Sequence, residues 1–228
     1  MAKNRPVRKQ EEEIINIVEV KEQAQDFFEK HKKSITIGLG ALIVLVGGYL
    51  AYTYLYMAPK EKAAAEAIYQ AENQFARDSF ALALENPGEG FDGFLDIIDN
   101  YSGTKTANLA KLYAGISYLH LGKYDDAIKY LESFSPKGKV SPALKYGALG
   151  DAYAESGNME KAWSNYKKAA DSKDNEFITP YYLSKAAGLA FTLNKNDEAL
   201  KLYKRISSEF PESTEAKEAE KFIARLEN

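Results

Sequence analysis

The feature that most constrains this chain of 228 residues is a run of 26 residues without a charged side chain, Ser34–Pro59. About 20 helical residues span the hydrocarbon core of a bilayer, so this run is long enough to cross a membrane. The mean hydropathy of −0.42 hides the run, because the rest of the chain is polar. We therefore predict a transmembrane anchor over residues 34–59. The predicted anchor residues are Ile35, Leu39, Leu42, Val46, Tyr49, Tyr52 and Tyr56.

Two other interpretations of this run fit it less well. A buried helix of a globular core is rarely this long and apolar on every face. A cleaved signal peptide has an apolar core of about 7–15 residues near its N-terminus. Here 33 residues precede the apolar run. We expect an uncleaved signal anchor.

The lysines that flank the anchor predict its orientation. More of them precede the anchor than follow it, and an excess of basic residues marks the cytoplasmic side. We therefore expect a cytoplasmic N-terminal segment, residues 1–33. Part of this segment is predicted to be an amphipathic helix, because Val20, Ala24, Phe27 and Phe28 share one helical face. That helix either lies on the membrane or a partner, or is simply solvated, and the pattern fits both.

The composition argues against most kinds of chemistry. The chain has no cysteine, which excludes disulfides, thiol nucleophiles and cysteine-ligated zinc. Its only histidines are His31 and His120, so a multi-histidine metal site is hard to build. The 30 basic and 33 acidic residues lack the basic surplus of a nucleic-acid binder. We expect no enzymatic activity, cofactor, metal, nucleic acid or small-molecule substrate.

An internal repeat runs through the part of the chain after the anchor. It aligns Ala127, Ala162 and Ala199, which are 35 and 37 residues apart and each follow two charged residues. Twelve residues before each alanine is a small residue, which would let two helices approach closely: Gly115, Gly150 and Ala187. Five residues before each alanine is a residue that tolerates the left-handed backbone of a helix end: Gly122, Gly157 and Asn194.

This repeat resembles the tetratricopeptide repeat, whose period is about 34 residues. The resemblance implies an all-α fold, with a single N-terminal transmembrane helix and a tetratricopeptide-repeat α-solenoid over residues 60–228. We expect a degenerate first pair at 60–103, in which a long helix spans Glu61–Glu85 and a second spans Phe91–Tyr101. Three repeats follow at about 108–141, 143–176 and 180–212, and a capping helix at 213–226 closes the array.

In such arrays the first helix of each pair lines a concave groove. The resemblance therefore implies these partner-binding residues: Leu109, Leu112, Ile116, Leu119, Asp151, Glu155, Tyr181 and Phe191. The groove lacks the basic residues that clamp a carboxylate, so we expect an apolar partner segment. Alternatively, the helix that begins at Glu61 fills the groove from within. We expect His120 to end a helix, and Asp151 and Glu155 to face solvent or a partner. Trp163 either packs in the core or marks a contact surface.

The order of the segments and several short runs also carry a family resemblance. These runs are Tyr101–Thr104, Ala107–Ala110, Tyr113–Gly115 and Gly150–Tyr153. The chain resembles the YfgM-like family over nearly its whole length. The resemblance implies a single-pass protein of a Gram-negative inner membrane with a periplasmic C-terminal domain. It further implies an ancillary subunit of the SecYEG translocon that binds a PpiD-type periplasmic chaperone and assists emerging secreted proteins. The alternative is a tetratricopeptide scaffold or assembly factor for another cell-envelope complex.

Overall fold

The computed structural model describes residues 6–88, 90–172 and 175–227, with side chains from Val20 onward. Within these residues every regular element is a helix, as the sequence predicts, and no strand forms. The chain divides into two compact units, residues 1–59 and 60–228.

The first unit is helical throughout its described part. Helix α1 spans Pro6–Ala51, and a π-helical segment follows at Tyr52–Met57. The rings of Tyr52 and Tyr56 stack in this segment with their centroids 5.6 Å apart. In the described part of the chain, one helical stretch is long and apolar enough to cross a membrane, with a mean hydropathy of 2.0 in its most apolar window. A helix with these properties is either a membrane span or a signal sequence.

Ten helices follow the π-helical segment in the residues that the structure describes. They are α2 (Ala58–Ala76), α3 (Phe80–Glu85), α4 (Phe94–Asn100), α5 (Lys105–His120), α6 (Tyr124–Ser133), α7 (Ser141–Glu155), α8 (Met159–Ala170), α9 (Ile178–Thr192), α10 (Asn196–Glu209) and α11 (Thr214–Leu226). From α5 to α11, each helix packs against the next one in the chain. This part of the fold is therefore a series of stacked helix pairs.

Three of these pairs turn on the residues that the sequence predicts. Gly122, Gly157 and Asn194 adopt left-handed φ values of 70°, 83° and 56°. In each turn, the next residue donates its N–H to a carbonyl five residues back, at 2.8–2.9 Å. This bond satisfies a carbonyl that the end of the first helix would otherwise leave without a partner. The pairs α5–α6, α7–α8 and α9–α10 thus share one turn geometry.

A fourth turn of the same kind lies where the sequence predicts uninterrupted helix. The expected helix Glu61–Glu85 is wrong, because α2 ends at Ala76 and Asp78 adopts a left-handed φ of 57°. The N–H of Ser79 donates to the carbonyl of Gln74 at 2.9 Å, which repeats the bond of the other three turns. The first pair therefore turns at Asp78 and not at the predicted break after Glu85.

The second helix of this first pair is split in two. Pro87 has no N–H to continue α3, which ends at Glu85, and α4 begins only at Phe94. The expected helix Phe91–Tyr101 begins at Phe94, and Phe91 remains exposed. A side chain at Gly93 would overlap the backbone of Leu84, so the two ends of the segment that joins α3 to α4 lie in contact.

Close approach of the two helices defines each later pair. A Cβ atom added to Gly115 would lie 2.5 Å from the side chain of Leu131 on α6. A Cβ atom added to Gly150 would likewise overlap the ring of Tyr166 on α8. These glycines therefore serve the role that the repeat pattern predicts. The alanines on which the repeat aligns are all fully buried: Ala127, Ala162 and Ala199.

Helix α2 is tied to α5 by hydrogen bonds at the start of α5. The carboxylate of Glu61 accepts the backbone N–H groups of Lys105 at 2.6 Å and Thr106 at 3.0 Å. Burial alone would raise the pKa of Glu61, but the bonds from Thr106 and Lys105 outweigh it and the pKa is lowered. Glu61 thus caps α5 as an ionised group.

Helix α11 covers the far end of the array. Its Ala216 and Ala219 are buried, and Phe222 stacks on Tyr203 of α10 with the ring centroids 4.8 Å apart. This placement agrees with the expected C-terminal helix at 213–226.

We predict that Gly150→Ala destabilises the protein by about 2 kcal/mol, because the new methyl group overlaps the Tyr166 ring. In a chain of this size the melting temperature should fall by roughly 4–8 °C. Thermal unfolding of the full chain in mild detergent, followed by circular dichroism, measures the change.

Gly188→Ala is the matched control for Gly150→Ala. Gly188 is also inside a first helix, but the nearest atom to its added Cβ is 3.8 Å away. Alanine should therefore be neutral or stabilising there, by up to about 1 kcal/mol. An equal loss in both variants would contradict the assigned contact.

Candidate functional site

The predicted groove residues all lie on the first helices of the three later pairs. Four are on α5, two on α7 and two on α9. Leu112 is 5% exposed and belongs to the core, so it offers almost no surface to a partner. Leu109 and Tyr181 are exposed.

Other groove residues are partly covered by neighbouring helices. Leu119 packs against the buried cluster that contains Ile68 of α2. Ile116 packs against the larger buried cluster, which contains Leu112 and Leu183. Phe191 contacts Phe222 of α11 in an edge-to-face arrangement at 5.8 Å. Part of the predicted groove is thus filled from within, by α11 as well as α2.

A row of exposed apolar side chains remains at the start of the first helices. Leu109, Leu144 and Tyr181 occupy equivalent repeat positions and are 37%, 41% and 45% exposed. Val140 and Phe177, one helical turn before Leu144 and Tyr181, are also exposed. We call these five residues the apolar strip. Because the pairs stack in order, equivalent positions lie along one edge of the array.

The repeat pattern predicts only part of the strip as groove residues. Leu109 and Tyr181 are among the predicted positions, whereas Val140 and Phe177 precede the helices and were not. Their signal was available in the sequence, since each lies four residues before an apolar residue of the strip.

A cleft adjoins each end of the apolar strip. The first has a volume of about 740 Å³ and lies beside Leu109, between the start of α5 and the loop that joins α6 to α7. The second has a volume of about 410 Å³ and contains Phe177, between the start of α9 and the loop that joins α10 to α11. Both clefts lie at the same end of their helix pairs, two repeats apart.

Asp151 connects two helix pairs. Its carboxylate accepts a hydrogen bond from the Tyr166 hydroxyl at 2.7 Å and forms an ion pair with Lys185 of α9. Glu155 is exposed and lies 3.5 Å from the hydroxyl of Tyr124 on another pair. The two acids therefore have separate partners. Among the described residues, no group of three or more side chains could hold a metal ion.

Several tyrosines of the stacked pairs are held in the neutral form. Burial, helped by the nearby Asp151 carboxylate, raises the pKa of Tyr166 well above its usual range. Burial, again with Asp151, raises the pKa of Tyr182 to about 12. The Tyr182 hydroxyl packs against the backbone of Gly147, where a side chain would overlap it.

His120 and Trp163 both have packing partners. His120 is the last residue of α5, as predicted, and its ring stacks on Phe80 at 4.3 Å. The Trp163 ring packs on the core beneath the ammonium groups of Lys195 and Lys167, at 4.0 Å and 4.7 Å. Both residues therefore have a structural role in the described part of the chain.

No protein-family model matches the sequence, and no curated protein matches it.

We predict a loss of stability in alkali that depends on Tyr182. Its pKa is about 12 in the folded chain against 10 for an ordinary tyrosine, so the unfolded chain ionises first. The stability that depends on neutral Tyr182 is fully present below pH 10. It is lost as the pH rises to about 12, and the free energy of unfolding falls by up to roughly 1.4 kcal/mol per pH unit.

Melting temperatures of the wild type and Tyr182→Phe between pH 8 and 12 test this expectation. The variant should lose less stability over the range, because it cannot ionise there. Tyr69→Phe, at an exposed tyrosine, is the control. Identical curves for wild type and Tyr182→Phe would rule out a role for Tyr182.

Proposed function

We propose that this chain is a membrane-tethered tetratricopeptide module that binds other proteins and has no enzymatic role. The observation that carries this proposal is the turn shared by four helix pairs, at Asp78, Gly122, Gly157 and Asn194. A helical array with exposed apolar positions on one edge supplies a surface for a partner segment. The long apolar helix before the array supports a membrane tether.

We further propose that the protein is a YfgM-like ancillary subunit of the SecYEG translocon. In this proposal the tetratricopeptide domain is periplasmic, binds a PpiD-type chaperone, and assists secreted proteins as they emerge. Support comes from the order of a charged N-terminal segment, one apolar helix and a helical repeat domain. A tether would raise the local concentration of the domain at the translocon without high intrinsic affinity.

The second candidate is a scaffold or assembly factor for another complex of the cell envelope. The helical array would use the same edge for different proteins. Removal of residues 1–59 distinguishes the two, because a translocon role depends on tethering more than a soluble scaffold role does.

The proposed orientation can be measured by thiol labelling, since the chain contains no cysteine. We expect a membrane-impermeant maleimide on intact spheroplasts to label Met159→Cys but not Gln10→Cys. After detergent lysis both variants should react equally. Labelling of Gln10→Cys in intact spheroplasts would place the N-terminus on the periplasmic side and reject the proposal.

Partner binding through the apolar strip can be tested by substitution. We expect Leu109→Ser, Leu144→Ser and Tyr181→Ser together to reduce co-purification of SecY and of the chaperone at least about ten-fold, which corresponds to about 1.4 kcal/mol. Single exposed positions contribute little to folding, so the melting temperature should change little.

The matched control is the pair Leu121→Ser and Met159→Ser, outside the strip. These side chains are 39% and 38% exposed, close to those of the strip. Co-purification should survive this change. Equal loss in both variants would reject the strip as the binding surface, and wild-type protein without either partner would reject the translocon role.

A further inference from the structure

The apolar strip ends in a cleft with a surplus of positive charge. Lys105, Lys111 and Lys137 line the cleft beside Leu109, and Asp99 is the one carboxylate in its lining. The Glu61 carboxylate lies next to the cleft and accepts the backbone N–H of Lys105, so three lysines face two carboxylates there. Within the described residues, none of the three lysines forms an ion pair. Most of the remaining lining is apolar or neutral. We call this the basic cleft.

The other end of the strip has the opposite charge. Glu176, Glu209, Glu212 and Glu215 line the cleft around Phe177, and no lysine or arginine is among the described residues that line it. Glu209 pairs with Arg205 at 2.9 Å. The other three have no ion pair with any residue that the structure describes. We call this the acidic cleft.

The two clefts occupy equivalent places in the array. Lys105 and Phe177 are in the same repeat position two repeats apart, just before the strip residues Leu109 and Tyr181. One edge of the protein therefore carries positive charge, then exposed apolar side chains, then negative charge. The middle of this pattern is Leu144, on the central pair.

We propose that a second copy of this chain covers the apolar strip in an antiparallel, two-fold arrangement centred near Leu144. A two-fold axis there places the basic cleft of each copy against the acidic cleft of the other, so both charge pairs form twice. The chain itself supplies the reversed charge pattern that the strip requires of its occupant.

The size of the surface agrees with such an interface. The two clefts are lined by 14 and 9 residues, and the strip adds Val140, Leu144 and Tyr181. Some of these, such as Thr104, Ala107 and Phe134, are buried, and the exposed remainder is close to the lower end of the roughly 20–30 residues that each partner contributes to a stable interface. The exposed apolar centre and charged rim also match the usual anatomy of an interface.

This self-association does not require the proposed translocon role. The second copy and a partner protein would use the same strip, so the dimer is the form expected when no partner is bound. Purified protein that stays monomeric without a partner, but binds SecY when it is added, would reject the dimer and keep the proposed function, whereas a dimer that never binds SecY would do the opposite.

Cysteine cross-linking in the full chain tests the two-fold axis. With no native cysteine, Leu144→Cys can form only a bond between two copies. We expect a short bis-maleimide to convert this variant to covalent dimer in mild detergent. Met159→Cys, of nearly equal exposure at the other end of its helix pair, should remain monomeric.

Charge reversal tests the pairing of the clefts. We expect Glu176→Lys with Glu212→Lys to weaken the dimer at least about ten-fold in light scattering, because like charges then face each other at both clefts. Adding Lys111→Glu and Lys137→Glu should restore it. A wild-type monomer, equal cross-linking of the two cysteine variants, or failure of the second charge change to restore the dimer would each overturn the proposal.

Discussion

The close approach of two helices at Gly115 and Gly150 is the constraint on which the helical array depends. Leu131 and Tyr166 occupy the space that a side chain at these positions would need. Large residues on one helix can therefore pack against the backbone of the other, and the aligned alanines become fully buried. Each pair needs a tight turn to reach this distance, which explains the left-handed residue between its helices.

The sequence predicts these turns where the turn residue is a glycine or an asparagine. Gly122, Gly157 and Asn194 are residues that tolerate a left-handed backbone, and they recur at the repeat spacing. The turn at Asp78 is not predicted, because aspartate adopts this conformation much less often than glycine does and strong helix formers surround it. The signal that could have found it is the spacing of Ala71 and Ala83, both fully buried, around Asp78.

The candidate site was less predictable, because it depends on contacts between distant residues. Repeat position alone could not separate exposed Leu109 from buried Leu112. The ion pair between Asp151 and Lys185 joins residues 34 apart, and the contact of Phe191 with Phe222 joins the last helix pair to α11. Such contacts follow from how helices stack, and no local pattern in the sequence encodes them.

The segment that joins α3 to α4 is a suitable place to insert a reporter domain. The backbones of Leu84 and Gly93 touch, and between them Gly90 and Phe91 are exposed. A loop whose ends already meet can be lengthened at little entropic cost, and such surface loops tolerate inserted domains. A fluorescent protein inserted between these residues would report on the array inside living cells while leaving both chain ends and the apolar strip untouched.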